Sequence, residues 1–314
     1  MKAVLHYRAT PGFRRKVAAL ENDWLRIAIV AETDRAAFAR EMADTDVLLH
    51  VLERITASDV ESAPRLKLIQ KLGVGVDTID LEAAKRHGVA VCNMPGANTR
   101  AVAELTLLLM LATLRRLTEL DAETRTGKGW ALDSSVLDNL GELGGRTVGL
   151  VGFGAVGKCL APMLHGVGAR VVYSSRHERP EPHATFVSFH DLLRSCDVVS
   201  LHVPLTPDTA GIINETTLAV MKADAILINT ARGGLVDYDA LHRALAGGRL
   251  RGAGLDVFDT EPADGSHPVF RLPAVVATPH VAWFTSETLD RGLSIFAENC
   301  RRLRDSEPLL NRVV

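Results

Sequence analysis

Cysteine is scarce in this chain. Four occur among 314 residues, Cys92, Cys159, Cys196 and Cys300, and none belongs to a Cys-x-x-Cys pair. That count and spacing argue against a disulfide framework or a structural zinc site, and fit a reducing compartment. No metal site is expected. An excess of charge is also missing, since 36 Lys and Arg stand against 38 Asp and Glu for a net charge of −2. Nothing here attracts nucleic acid or an anionic membrane surface in general. Long apolar runs are absent too. The longest, Leu105 to Leu114, carries two threonines and falls well short of the roughly 20 residues a membrane span needs. The start, Met1-Lys2-Ala3-Val4-Leu5-His6-Tyr7, reads as a strand rather than a signal peptide. Cytoplasmic residence is the expectation. There is no low-complexity tract and no short repeat.

What is present is a hydrophobic content of 47%, enough for real cores, in a chain long enough for about two domains. Short apolar runs alternate with helical patterns throughout, which favours parallel sheets covered by helices. The first series of runs is Ala3–Tyr7, Ile27–Val30, Val47–Val51, Leu66–Leu72 and Val89–Cys92. Helical stretches such as Asp34–Met42 and Asp80–His87 lie between them, and Thr56-Ala57-Ser58-Asp59 has the form of a capping box. A second series begins at Thr147–Val151 and continues through Arg170–Tyr173, Val198–His202, Ala225–Asn229, Gly252–Asp256 and Val275–Thr278. Helices are expected at Ser188–Asp191 and Asp237–Ala246. Ala101–Leu120 reads as one long helix, Asp121–Gly145 as an irregular linker or oligomer arm, and Thr285–Glu307 as a terminal helix. The fold class is therefore α/β, with two doubly wound parallel-sheet domains and a cleft expected between them.

The run Gly152-Phe153-Gly154-Ala155-Val156-Gly157 fits Gly-x-Gly-x-x-Gly, with a strand before it and a helix pattern, Ala155–Leu164, after it. Each glycine has a reason: a tight turn at Gly152, close approach of backbone to a pyrophosphate at Gly154, and helix-on-strand packing at Gly157. About 20 positions on, an acidic residue would hold the ribose hydroxyls of NAD. The sequence instead reads Tyr173-Ser174-Ser175-Arg176-His177-Glu178-Arg179-Pro180. The strand-end position is Ser174, so no carboxylate there repels a 2′-phosphate, Ser174 and Ser175 can donate hydrogen bonds, and Arg176 offers a planar fork. The expectation is NADP preferred, with NAD possible.

Three further motifs end strands of the second series: Asn229-Thr230-Ala231-Arg232-Gly233-Gly234, Asp256-Val257-Phe258-Asp259-Thr260-Glu261-Pro262, and Thr278-Pro279-His280. Ligands of open α/β sheets bind beyond the carboxyl ends of strands. Arg232 can clamp a substrate carboxylate through two parallel hydrogen bonds. His280 can give or take the proton of a carbonyl or hydroxyl, and Glu261 can orient the ring and favour its charged form. Taken singly, each has an ordinary explanation as a surface charge, a turn or a non-catalytic histidine. Their order is what carries the expectation.

With these motifs in place, the chain resembles the D-2-hydroxyacid dehydrogenases over nearly its whole length. The likeness runs through Gly73-Val74-Gly75-Val76-Asp77, the glycine loop, His202-Val203-Pro204-Leu205-Thr206, Asn229–Gly233, Gly254–Phe258 with Glu261-Pro262, and Pro279-His280. The resemblance implies that Arg232, Glu261 and His280 are catalytic. It implies that amides of Val74 and Gly75 bind the substrate carboxylate, and that Asp256 bonds the nicotinamide carboxamide. Val203, Pro204, Thr230 and Ala231 would line the cofactor, with Thr209 near its phosphates. Asn98 and Val102 would approach substrate and nicotinamide. It further implies a substrate-binding domain of residues 1–98 plus 287–314, a dinucleotide-binding domain of 99–286, and a homodimer built on the latter. Ser174 departs from the commoner acidic residue, and the Ser-Ser-Arg-x-x-Arg-Pro stretch is similar to NADPH-using glyoxylate and hydroxypyruvate reductases. The implied reaction is hydride transfer between NADP(H) and a small 2-keto or D-2-hydroxy acid. Alternatives are an NAD-linked D-lactate, D-glycerate or phosphoglycerate dehydrogenase, or a nucleotide-sensing corepressor-like protein. Leu49–Arg54 fall where a substrate-side loop is expected. Trp283 and Phe284 either cap a small pocket or pack at an interface.

Overall fold

Apolar runs buried on both faces, such as Val47–His50 and Leu68–Lys71, can be satisfied only inside a parallel sheet covered on two sides. The computed structural model describes residues 1–314 and contains two such sheets, in two compact units. One unit is Met1–Asn98 with Trp283–Val314, and the other is Thr99–Ala282.

The first unit alternates β1 (Lys2–His6), α1 (Pro11–Ala18), β2 (Arg26–Val30), α2 (Arg35–Met42), β3 (Val47–His50), α3 (Ala57–Glu61), β4 (Leu68–Lys71), α4 (Leu81–Arg86) and β5 (Ala90–Cys92). Its five strands run parallel in the order β2-β1-β3-β4-β5, a doubly wound arrangement. The helix starts are set by side chains. Thr10, Asp34, Thr56 and Asp80 each accept a hydrogen bond from an amide of the first turn, a contribution of about 1 kcal/mol apiece. At Thr56 the reciprocal bond to Asp59 completes the expected capping box.

The second unit comprises α5 (Thr99–Leu114), α6 (Leu117–Arg125), α7 (Ser134–Asp138), β6 (Thr147–Val151), α8 (Ala155–Gly166), β7 (Arg170–Ser174), β8 (Thr185–Phe186), α9 (Phe189–Ser195), β9 (Val198–Leu201), α10 (Glu215–Val220), β10 (Ile226–Asn229), α11 (Tyr238–Ala246), β11 (Gly252–Leu255) and β12 (Val275–Ala277). The strands are all parallel, in the order β12-β11-β10-β9-β6-β7-β8. The chain order reverses between β6 and β9, the switch point at which dinucleotide folds bind their ligand. The last helix, α12 (Ser286–Arg304), belongs to the first unit. Among these helices none is long and apolar enough to cross a membrane.

Two expectations need correction. The single helix over Ala101–Leu120 is two helices. Arg116 sits in the left-handed region at φ 48° between them, and its guanidinium holds Glu119 at 2.6 Å. No glycine or proline marks the break, so the apolar pattern runs through it. The Asp121–Gly145 segment is likewise more ordered than expected, since it contains the end of α6 and all of α7.

Candidate active site

The glycine loop follows β6, beside the end of β9. Gly152 has φ 97°, and a Cβ there would stand 2.5 Å from the His202 carbonyl oxygen. Gly157 lies under the turn, where a Cβ would meet the Gly152 oxygen at 3.1 Å and Phe153 at 3.2 Å. Gly154 is different. It caps α8 without a side-chain hydrogen bond, and nothing lies within 4 Å of where its Cβ would be. The first turn of α8, Ala155 and Val156 included, therefore opens with amides that no side chain caps, at the positive end of a 12-residue helix. These residues fit a pyrophosphate.

Beyond β7, the loop of Ser174, Ser175 and Arg176 is pinned by a residue that sequence reasoning passed over. Tyr173 is buried and stacked on Phe153 with centroids 4.0 Å apart. Its hydroxyl donates to the Arg179 carbonyl at 2.5 Å and accepts from the Arg179 amide at 2.7 Å. Ser175 spends its hydroxyl within the loop, on the His177 carbonyl, rather than holding it outward as a donor. Arg176 is exposed.

Arg232 lies in extended backbone just past β10. The buried Asn229 shapes this turn, accepting from the Ala231 amide at 3.1 Å and donating to the Arg232 carbonyl at 2.9 Å. Thr230 is nearly buried and shares a hydrogen bond with Thr106 of α5 at 2.9 Å. Val203 is half-buried and Pro204 exposed just after β9, and Thr209 donates to the Pro204 carbonyl at 2.7 Å.

His280 and Glu261 meet directly, with Nδ1 2.6 Å from Oε2. The other carboxylate oxygen of Glu261 accepts from the Phe258 amide at 2.9 Å. Burial works to raise the Glu261 carboxyl, but the hydrogen bond and charge of His280, the Phe258 amide and the charge of Arg232 outweigh it. The net position is lower than usual, so Glu261 is a carboxylate near neutrality. His280 itself adopts φ 52°, an unusual conformation for a residue with a side chain and one that marks functional turns. Its amide is held by the carbonyls of Asp256 at 2.7 Å and Thr278 at 3.0 Å.

Asp256 supports the same turn. Its side chain is fully buried and accepts from Thr278 Oγ1 at 2.6 Å and from the amides of Val281 and Ala282, both at 2.9 Å. Burial raises its carboxyl against the pull of those three donors and of His280. All three donors are protein groups flanking His280, so the carboxylate fixes that turn. The motif Gly254-Leu255-Asp256 was the sequence signal, but only the fold reveals which atoms the carboxylate serves.

The remaining expected residues lie in the first unit. Val74 is exposed, with its carbonyl held by Asn93 at 2.9 Å, Gly75 is half-buried, and the preceding Gly73 has φ 151°. Asn98 is half-buried at the unit's boundary. The substrate loop expected over Leu49–Arg54 is shorter than drawn. Leu49 and His50 belong to β3 and are fully buried, leaving Leu52–Arg54 toward solvent. Trp283 lines a small cavity with Gly73, Met94 and Asn98, and Phe284 packs against its ring. Trp283 joins an aromatic cluster with Tyr7, Phe13 and Phe284 inside the first unit.

Comparison with known proteins bears on the same residues. Positions 107–282 match the family described as D-isomer specific 2-hydroxyacid dehydrogenase, NAD binding domain. A glyoxylate reductase of Thermococcus litoralis is 40% identical over 274 residues, covering 84% of this chain and 82% of the relative. Among solved structures, an NAD-dependent formate dehydrogenase from Staphylococcus aureus in complex with NAD superposes with a TM-score of 0.90 at 30% identity, over 100% of this chain and 99% of that one. An acyclic imino acid reductase (Bsp5) in complex with NADPH and D-Arg superposes with a TM-score of 0.84 at 28% identity, over the full length of both chains. Two parallel sheets, a glycine loop at the switch point and this breadth of likeness place the chain in the D-isomer specific 2-hydroxyacid dehydrogenase family, oxidoreductases that act on the CH–OH group of their donors.

Proposed function

We propose that the chain reduces small 2-keto acids to D-2-hydroxy acids, with glyoxylate and hydroxypyruvate the leading substrates and NADPH preferred over NADH. The observation that carries this reading is the 2.6 Å pairing of His280 with Glu261, whose carboxylate also feels Arg232. A bound nicotinamide dinucleotide supplies the hydride chemistry, and the open face of Gly154 at the head of α8 is where its phosphates fit. Arg232 holds the substrate carboxylate and so fixes the keto carbon. His280 gives the carbonyl oxygen its proton through Nε2 during reduction, and takes it back from the hydroxyl during oxidation. Glu261 keeps the ring oriented through its hydrogen bond to Nδ1. The first unit, which carries Val74, Gly75 and Asn98, acts as the substrate-binding domain, and the second unit acts as the dinucleotide-binding domain.

The choice of glyoxylate is supported by the Thermococcus litoralis relative. The choice of NADPH is supported by the absence of a carboxylate at Ser174 and by exposed Arg176 beside it. A homodimer through the second unit is supported by Leu108, Leu117, Trp130 and Leu137, which are each at least half exposed there. A panel of 2-keto acids assayed with NADPH and NADH tests the proposal. Turnover of glyoxylate or hydroxypyruvate with lower KM for NADPH is expected. A large NADH preference would overturn the cofactor assignment, and no turnover of any 2-keto acid would overturn the reaction.

A further inference from the structure

A second cavity lies in the second unit at the other end of its sheet. It measures about 330 Å3, at the small end of the roughly 300–1,000 Å3 typical of ligand sites. Its walls include Ala223 and Asp224 before β10, Leu250 and Arg251 before β11, and Ala274 before β12. The residues of the candidate active site follow these same strands. The cavity is therefore separated from them by a strand length, about 13 Å for four residues.

Its chemistry is cationic. Arg116 and Arg251 are part of the wall. Arg146 joins them, since the guanidinium nitrogens of Arg251 and Arg146 both converge on Gly141, where a Cβ would meet them at 2.7 and 2.9 Å. Asp224 acts on Arg251, and Asp197 feels the charge of Arg146. Arg251 donates to the Asn139 carbonyl, and Arg146 donates through Nε to the Glu142 carbonyl at 2.7 Å. Arg116 engages Glu119 through Nε. Asp224 is the one carboxylate on the wall, and it is exposed. Burial and the neighbouring charges of Arg146 and Arg116 lower the affinity of Arg251 for its proton, with Asp224 opposing them. Like charges crowded into one concavity are costly unless an anion joins them. Thr113 of α5 also stands on the wall.

We propose that this cavity binds a small phosphate-bearing anion through Arg251, Arg146 and Arg116. Planar guanidinium forks suit a tetrahedral oxyanion, and the volume admits a phosphate with a short organic tail. The site is independent of the reaction proposed above, because none of its residues belongs to the active site.

The test uses the full chain saturated with dinucleotide, so that the glycine loop is already filled. Inorganic phosphate is titrated calorimetrically against chloride at equal ionic strength. Saturable binding specific to phosphate is expected. The double variant R146Q/R251Q should weaken it roughly tenfold or more, as expected for losing charged hydrogen bonds. Because that variant removes two half-buried charges and risks misfolding, Asp224→Asn provides the opposite sign: loss of the competing carboxylate should tighten phosphate binding severalfold. Absence of phosphate-specific binding, equal affinity in a folded double variant, or weaker binding in Asp224→Asn would each overturn the site.

Discussion

Gly233→Ala is the substitution whose effect the geometry specifies most sharply. Gly233 follows Arg232 and is buried against the loop that carries Glu261. A Cβ at this position would stand 1.8 Å from the Phe258 carbonyl carbon, 1.9 Å from its oxygen and 2.3 Å from the Asp259 nitrogen. All three are backbone atoms, so no side chain can swing aside. Contacts between carbon atoms settle near 3.5 Å, so the two loops must part by roughly 1.5 Å. Forced overpacking of this kind typically destabilises by about 1–3 kcal/mol, which lowers the melting temperature of a unit this size by several degrees. The larger effect falls on activity. Arg232 and Glu261 sit on opposite sides of the contact, and a misplacement of about 1 Å can lose 10²-fold in rate. The assay is kcat/KM with glyoxylate beside a thermal melt. A fall of about a hundredfold is expected from protein that is still folded at 25 °C. Gly154→Ala is the control. With open space before it and a φ of −86°, it should melt like the wild type while its KM for dinucleotide rises. If Gly233→Ala keeps wild-type stability and turnover, or if the two variants behave alike, the argument from these contacts is wrong.

Other outcomes follow from the same geometry. Glu261→Gln keeps a hydrogen-bonding side chain but removes the carboxylate that holds the His280 ring, so kcat for keto-acid reduction should fall by roughly tenfold; unchanged turnover would contradict the pairing. Arg176→Ala should raise the KM for NADPH about tenfold while leaving NADH little changed, and equal effects on both would remove Arg176 from the 2′-phosphate. Burial, helped by the charge of Arg35, pushes His6 down to about 4, despite opposing charges on Glu32 and Asp59. The unfolded chain then takes up a proton below about pH 6.5 that the native state refuses until about pH 4. Stability is therefore full above pH 6.5 and falls by about 3 kcal/mol as pH drops through that window. Buried His50, also lowered by its burial and by Lys71, acts in the same direction. Urea unfolding at pH 7 and pH 4.5 should show His6→Leu with a shallower acid loss than the wild type; parallel losses would contradict the assignment.

How far the sequence reaches depends on whether the determining contact is local. Strands buried on both faces read as apolar runs, and helix starts at Asp34, Thr56 and Asp80 are announced by their own side chains. The glycine loop is legible because each glycine answers a local backbone need. The pairing of His280 with Glu261 is foreseeable in kind, since two strand ends of one parallel sheet share an edge. Other features depend on distant partners. Arg116 breaks an apolar helix without glycine or proline. Tyr173 looks like a strand residue until its hydroxyl is seen to hold Arg179. Asp256 sits in a recognisable motif, yet its hydrogen bonds run to residues more than 20 positions away. His50 falls both in the strand run Val47–Val51 and in the substrate-side loop that the resemblance implies, and its full burial in β3 decides for the strand.

The central claim is reduction of a keto carbon at the site of Arg232, Glu261 and His280. Its most direct test supplies glyoxylate with NADPH deuterated at the transferring position of the nicotinamide, and weighs the glycolate formed. The account predicts glycolate carrying one deuterium at carbon 2 from the wild type, and severely reduced product from His280→Ala. Unlabelled glycolate, or undiminished labelled product from His280→Ala, would contradict it.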